Sequence, residues 1–342
     1  MGAHRARGSA GKGLLVFFLA LIVLASAAFG FYRYSVGASG PSSPVAIEIP
    51  EGANATDVGE LLEDAGVVRS GLAFRLKAGF GGVGESLLAG SYDMRTNMTV
   101  DEALSTLQAG PIVETVSVTI PEGLELDEIA AEVSGILNVD PAAFEDAATS
   151  GELSLPPYLP EGTETAEGFL FPKTYEFSPD AEEEQVIATL LAQFEEEAAT
   201  LDWSKAQTLG LSPYEVVIVA SLIEREARAE EDRAKVSAVI HNRLREGMAL
   251  QIDATVQYAL PEKNRLLTLE DYEYESPYNT YLHPGLPPTP IASPGLASLQ
   301  AALNPADEDY LYFLVVDPET GAHEFAETYE EFLRLKQEAG LT

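Results

Sequence analysis

The chain has 342 residues, 46% of them hydrophobic, with 55 acidic against 20 basic side chains and a formal net charge of −35. That length accommodates one membrane anchor and two or three small domains with a sizeable core, while the charge repels nucleic-acid phosphates and sets DNA and RNA aside as partners. The absence of cysteine removes disulfides, zinc ribbons, iron–sulfur clusters and thiol nucleophiles. The acidity reads as general surface character and raises salt adaptation as a hypothesis; purified protein equally stable and soluble with and without molar salt removes it.

His4, Arg5, Arg7 and Lys12 precede an apolar run from Leu14 to Phe31, near the length that crosses a bilayer, with Tyr32 and Tyr34 as interface aromatics. The expectation is a cytoplasmic tail over 1–12, a transmembrane helix over 13–34 and a linker over 35–44, SVGASGPSSP. The positive-inside rule then places everything beyond the helix outside the cytoplasm, as a single-pass protein of the cytoplasmic membrane. A cleaved signal peptide competes, because Ala25-Ser26-Ala27 resembles a processing site, but the apolar run continues past it.

Two similar segments follow, IEIPEGANATDVGELLEDAGVV at 47–68 and VTIPEGLELDEIAAEVSGILNV at 118–139. Each reads as a short alternating strand, a Pro-Glu-Gly turn and an amphipathic helix. The first continues with Gly71 to Gly79 as a glycine-rich loop, a strand over 89–94 and a capped helix from Thr99 to Gly110, a strand–helix–helix–strand unit. Asn54 and Asn97 head glycosylation-like triplets, a pattern too short to carry weight.

Residues 150–166 read as a loop. Glu167 to Tyr175, EGFLFPKTY, is either a groove wall stacking on sugar rings or a tight turn anchoring the next helix. An acidic amphipathic helix over 182–200 reads as scaffold, and Ser212-Pro213 as the capped start of the most apolar helix of the chain. That helix, Val216 to Ile223, is apolar except for Ser221 and is followed directly by Glu224, Arg225, Glu226 and Arg228. Carboxylates entering a dry environment are costly unless paired, protonated or needed. Residues two apart on a helix point about 200° apart, so Glu224 and Glu226 cannot face one groove. Glu226 continues the stripe Val219, Ile223, Glu226, Glu230, and Glu224 lies in register with Arg228 for an i,i+4 pair. They do not form the paired carboxylates of an ordinary glycosidase. Either one carboxylate acts as acid and base in turn, or both are surface acids paired with arginines.

A second helix runs from Arg233 to Leu244 with Gly247 as its stop. Leu250 to Tyr258 alternates polar and apolar residues and, if extended, puts Gln251, Asp253, Thr255 and Gln257 on one face, which suits hydroxyl and amide recognition. Residues 276–295, SPYNTYLHPGLPPTPIASPG, form a long loop too aromatic for a plain linker. A short helix at 296–303, a buried strand at 310–316, a turn at 317–321, a return strand at 323–325 and an amphipathic helix at 328–339 close the chain.

The motifs EGFLFPKTY, ASLIEREA at 220–227, HNRL at 241–244, LQIDATVQY at 250–258, the proline-rich loop, and ALNP and DYLYF at 301–313 together resemble the endolytic murein transglycosylase (YceG-like) family. The resemblance implies an α+β fold: an N-terminal transmembrane helix, a LysM-like subdomain over 45–116, then a second small module running over 117–342 into a YceG-like catalytic domain with its core at about 165–342. It implies Glu226 as the catalytic acid, with no cofactor and no metal. The implied reaction breaks the bond between N-acetylmuramic acid and N-acetylglucosamine in nascent glycan strands and closes a 1,6-anhydro ring, terminating elongation. Gln251, Asp253, Thr255, Asn279 and Tyr281 are the expected substrate contacts, and peptidoglycan and cell-wall synthases the expected partners. Three departures bear on substrate positioning: Ala227 where a hydroxyl is common, Ala254 in place of proline, and Glu331 where histidine is common. The alternative is a non-catalytic wall-binding membrane protein that recruits synthases. A metallo- or serine hydrolase is disfavoured, since the only histidines are His4, His241, His283 and His323 and neither HExxH nor GxSxG occurs.

Overall fold

The computed structural model describes residues 9–37, 40–80, 87–112, 114–150, 163–263, 265–317 and 320–341. The chain divides into two compact units, Met1–Glu114 and Thr115–Thr342. The tail over 1–8, most of the loop expected over 150–166 and the tip of the turn at 317–321 lie outside the described residues.

The first unit begins with α1 (Ser9–Val36), whose stretch Phe17–Val36 has a mean hydropathy of 1.7 and is unburied. It is the one described helix long and apolar enough to cross a membrane. The helix runs two residues into the expected linker. Then come β1 (Pro44–Ile49), α2 (Ala55–Asp64), α3 (Gly71–Phe80), β2 (Gly90–Arg95) and α4 (Val100–Ala109). Strands β1 and β2 pair antiparallel with Ile47 opposite Tyr92, and the two-residue period buries Ile47, Ile49, Tyr92 and Met94. Reciprocal capping boxes start the helices: Asn54 with Asp57 at α2, Thr99 with Glu102 at α4.

The segment from Gly71 is a helix, not the glycine-rich loop that its composition suggested. Ser70 Oγ accepts from the Ala73 amide at 3.3 Å and caps it, and the glycine serves packing: a Cβ on Gly71 would collide with the carbonyl of Gly59 where α3 meets α2.

The second unit opens with the same order: β3 (Val116–Thr119), α5 (Leu126–Ser134), α6 (Pro141–Thr149) and β4 (Thr174–Phe177), with β3 and β4 antiparallel. Here the module has no core of its own. Val118, Ile120, Ile129 and Val133 belong to one buried cluster that continues through Phe169 and Leu170 into the helices that follow. EGFLFPKTY is therefore core and strand: Phe169 and Leu170 are fully buried and Phe169 stacks on Tyr214 at 6.0 Å. The rest comprises α7 (Glu183–Ala198), α8 (Ser204–Leu209), α9 (Pro213–Glu226), α10 (Arg233–Glu246), α11 (Asp253–Ala259), α12 (Leu296–Leu303), the antiparallel pair β5 (Tyr312–Asp317) and β6 (Ala322–Ala326), and α13 (Tyr329–Glu338). β5 is half-exposed, not buried as its apolar run suggested, because one face of this two-stranded sheet borders a cleft.

Candidate active site

The site is organised by the point where α9 stops. Ser212 caps its start through a capping box with Glu215, and every residue from Val216 to Ile223 is buried. Such a helix is held by packing on both sides. It ends at Glu226, because Ala227 turns extended (φ −88°, ψ 105°) while its N–H still donates to Ile223 O at 2.8 Å. Glu230 is therefore not on the stripe of Glu226, and Arg228 is not one turn from Glu224.

The three charges at this end point three ways. The buried Glu224 carboxylate accepts from Arg233 Nη2 at 3.3 Å and from the Gly295 amide at 3.0 Å, replacing the expected pair with Arg228. Arg225 donates to the carbonyl of Gly123, in the second Pro-Glu-Gly turn, at 2.9 Å, and lies 3.7 Å from Glu125. Glu226 faces a cleft of about 460 Å³.

Glu226 is half-buried, and its surroundings hold its carboxyl well above the carboxylate range, at about 7. Loss of solvation is the largest cause, and the charge of Asp253 adds to it. The backbone N–H of Ala254, which donates to Glu226, and the charge of Arg225 pull the other way. At neutral pH the group is thus close to half-protonated, the state a general acid that must also act as a base requires.

Asp253 opens α11 and shares the cleft. Its Oδ1 accepts from Tyr281 Oη at 2.5 Å and its Oδ2 from Tyr272 Oη at 3.2 Å, and the two rings meet edge to face at 4.7 Å. Burial first, then Asp253, pushes the Tyr281 phenol up, so it stays a donor. Gln251 lies exposed in the same cleft with φ at 53°, left-handed for a residue that is not glycine, and its N–H donates to Thr280 O at 3.1 Å. Backbone strain of this kind, about 1–3 kcal/mol, persists where surrounding structure imposes it.

The expected extended segment at 250–258 is instead a turn of backbone followed by α11, and the helix separates the residues meant to share a face. Gln251, Asp253 and Tyr281 line the cleft. Thr255 and Asn279 do not. Thr255 is fully buried, donating to Ile252 O at 2.7 Å and sharing a hydrogen bond with Thr280 Oγ1 at 2.9 Å. Asn279 is fully buried as well; its amide donates to the carbonyls of Tyr272 (3.1 Å) and Tyr274 (2.8 Å), and its Oδ1 accepts from the Tyr281 amide at 3.0 Å. Both fold the proline-rich loop that aims the tyrosines.

Sequence reasoning missed Arg243 and the aromatic wall of Tyr312, Phe313, Tyr329 and Phe332 across the cleft. The signal for Arg243 was present: it follows Val236, Val239 and Ile240 along the apolar face of α10. It also missed a second buried acid. Glu167, outside the cleft, is pushed by burial to about 8; its Oε2 accepts from the Leu126 amide and from Tyr258 Oη. Among the described residues no group of three or more His, Cys, Asp or Glu is arranged to hold a metal ion.

Comparison with known proteins covers nearly the whole chain. Residues 47–338 match the YceG-like family. The chain is 32% identical over 311 residues to a Bacillus subtilis protein named endolytic murein transglycosylase, spanning 86% of this chain and 84% of that one. It is 31% identical over 356 residues to the Streptococcus pneumoniae R6 protein of the same name, spanning 94% of this chain and 64% of that one. A crystal structure of a YceG-like protein from Listeria monocytogenes superposes with a TM-score of 0.58 at 31% identity, covering 86% of this chain and all of that one.

Proposed function

This chain belongs to the YceG-like family, and from that premise we propose that it is an endolytic peptidoglycan lytic transglycosylase with Glu226 as its single acid–base group. Protonated Glu226 gives its proton to the glycosidic oxygen between N-acetylmuramic acid and N-acetylglucosamine as the C1–O bond breaks. The resulting carboxylate then takes the proton of the muramic 6-hydroxyl, whose oxygen bonds to C1 and closes the 1,6-anhydro ring. One proton leaves Glu226 and one returns, so no water is consumed. The observation that carries this reading is an acid held near pH 7 at the edge of a cleft.

Asp253 in the same cleft raises a second reading, ordinary hydrolysis with Asp253 activating a water. Its carboxylate already accepts from two phenols, which favours a positioning role. Mass spectrometry of products from the full chain and isolated glycan strands decides: anhydro-muramyl ends are expected, and reducing ends would favour hydrolysis. Strands retained but uncut would favour the wall-binding alternative.

In the same reading α1 spans the cytoplasmic membrane with its N-terminus inside, the β-α-α-β modules act as LysM-like holders of the strand, and cutting beside the membrane terminates elongation, with synthases as partners. The cysteine-free sequence makes topology simple to test: one cysteine introduced at position 42 is expected to react with an impermeant maleimide from the outer side, and protection there would reverse the orientation.

A further inference from the structure

The cleft contains a cation that no carboxylate among the described residues pairs with. Arg243 is 7% exposed. Its guanidinium is fixed by backbone carbonyls: Nε donates to Leu311 O at 2.6 Å, and Nη1 to Leu250 O at 2.6 Å and Ala249 O at 3.4 Å. It sits 5.3 Å from the ring centroid of Tyr312, another cleft residue. Among the described residues Nη2 has no hydrogen-bond partner, and the side chain lines the same cleft as Glu226, Gln251 and Asp253.

Among the described residues Arg243 forms no ion pair, although the chain carries 55 carboxylates to 20 basic groups. Carbonyl dipoles orient a guanidinium without cancelling its charge, and an uncompensated buried charge costs several kcal/mol. The carboxyls of the cleft are otherwise engaged: Glu226 forms no ion pair among the described residues and is held above the carboxylate range by burial, and Asp253 accepts from two phenols. Breaking a glycosidic bond also builds positive charge on the sugar. A lone cation nearby opposes that step unless the substrate brings an anion to it.

We infer that Arg243 is a carboxylate receptor within the cleft, binding through Nη2 a carboxylate carried by the muramic residue of the bound strand. This rests on the lytic transglycosylase reading for the identity of the strand. Two carboxylates fit the chemistry: that of the lactyl ether itself on peptide-free strands, and one on the peptide attached there. Arginine suits either, since its fork is rigid and its charge permanent.

The test is equilibrium binding to full-length E226Q, which removes turnover, using four probes. These are peptide-free strands with free or amidated lactyl carboxyls, and peptide-bearing strands with free or amidated peptide carboxyls. Amidation in one pair is expected to weaken binding about 10- to 100-fold, the scale of a charge-assisted hydrogen bond lost from a buried site, and the pair that responds identifies the carboxylate. In E226Q/R243M the acid and amide forms are expected to bind within about twofold of each other, with E226Q/R243K between. Equal binding of acid and amide by E226Q in both pairs overturns the inference, as does discrimination that survives R243M. If R243M does not fold, the four probes on E226Q still decide. Anhydro ends are scored separately on the unmutated protein, so their absence sinks the transglycosylase reading without bearing on carboxylate discrimination, and the converse holds.

Discussion

The two sides of the α9 terminus carry similar residues and do opposite things. Toward the second Pro-Glu-Gly turn, Glu224 is met by Arg233 and the Gly295 amide, and Arg225 by the Gly123 carbonyl and Glu125. Toward the cleft, Glu226 accepts from one backbone amide and is pushed up by its setting, Gln251 holds a left-handed backbone, and Arg243 has a nitrogen with no partner among the described residues. Buried polar groups are normally satisfied within the protein, so satisfied charges mark structure and incompletely satisfied ones mark where a substrate completes the set. The first side clamps a β-α-α-β module onto α9. The second is left to chemistry.

The comparison is broken most directly by changing one acid on each side. E226Q is expected to lower kcat at least 10³-fold, the upper range of general acid–base catalysis, with its circular dichroism and melting cooperativity intact. E224Q is expected to do the reverse: a stability loss of about 2–4 kcal/mol in urea titration, as a buried ion pair and an amide acceptor are weakened, and activity per folded molecule within about threefold.

A third effect follows from linkage. An acid raised from 4.5 to about 7 favours the folded state only while protonated. Its contribution is fully present below pH 4.5 and is lost as pH rises to about 7, so it lowers stability above neutrality. Glutamine has no proton to lose, so E226Q is expected to be about 1–3 kcal/mol more stable than the unmutated protein at pH 8 and indistinguishable at pH 4.5. Equal stability at both values would mean that Glu226 titrates normally. Glu167, at about 8, adds a slope of the same sign that E226Q leaves in place.

The smallest effects tune the proton. Asp253 raises the Glu226 pKa and the Ala254 N–H lowers it. D253N is therefore expected to move the alkaline limb of kcat/KM to lower pH, and A254P, which deletes that N–H within the first turn of α11, to move it higher. At pH 7.5 the rate effects are about two- to fivefold in opposite directions. Shifts of the same sign in both variants would remove the electrostatic account of the site.

Much of this arrangement is legible in the chain itself. The apolar helix with acids at its end, its Ser-Pro start, the paired Pro-Glu-Gly segments and the apolar N-terminal run are all local patterns, and the structure contains each corresponding element. What local pattern could not supply was the partner across the fold. Gly71 looks like a loop residue because its helix-to-helix contact with Gly59 is tertiary. Leu250 to Tyr258 alternates like a strand, yet Asp253 starts a helix whose neighbour Thr280 is 25 residues from Thr255. Glu224 and Arg228 have helical spacing, but α9 stops at Glu226, and Glu224 pairs with Arg233. The departure at Ala254, which the sequence tied to substrate positioning, instead gives the acid a backbone N–H that lowers its pKa.

The most direct test is titration of the Glu226 carboxyl itself by carbon-13 NMR of glutamate-labelled protein, with the resonance assigned by its loss in E226Q. A midpoint near 7 that falls in D253N is the predicted result. A midpoint in the ordinary carboxylate range, near 4.5, would leave the cleft without a neutral-pH acid and contradict the account.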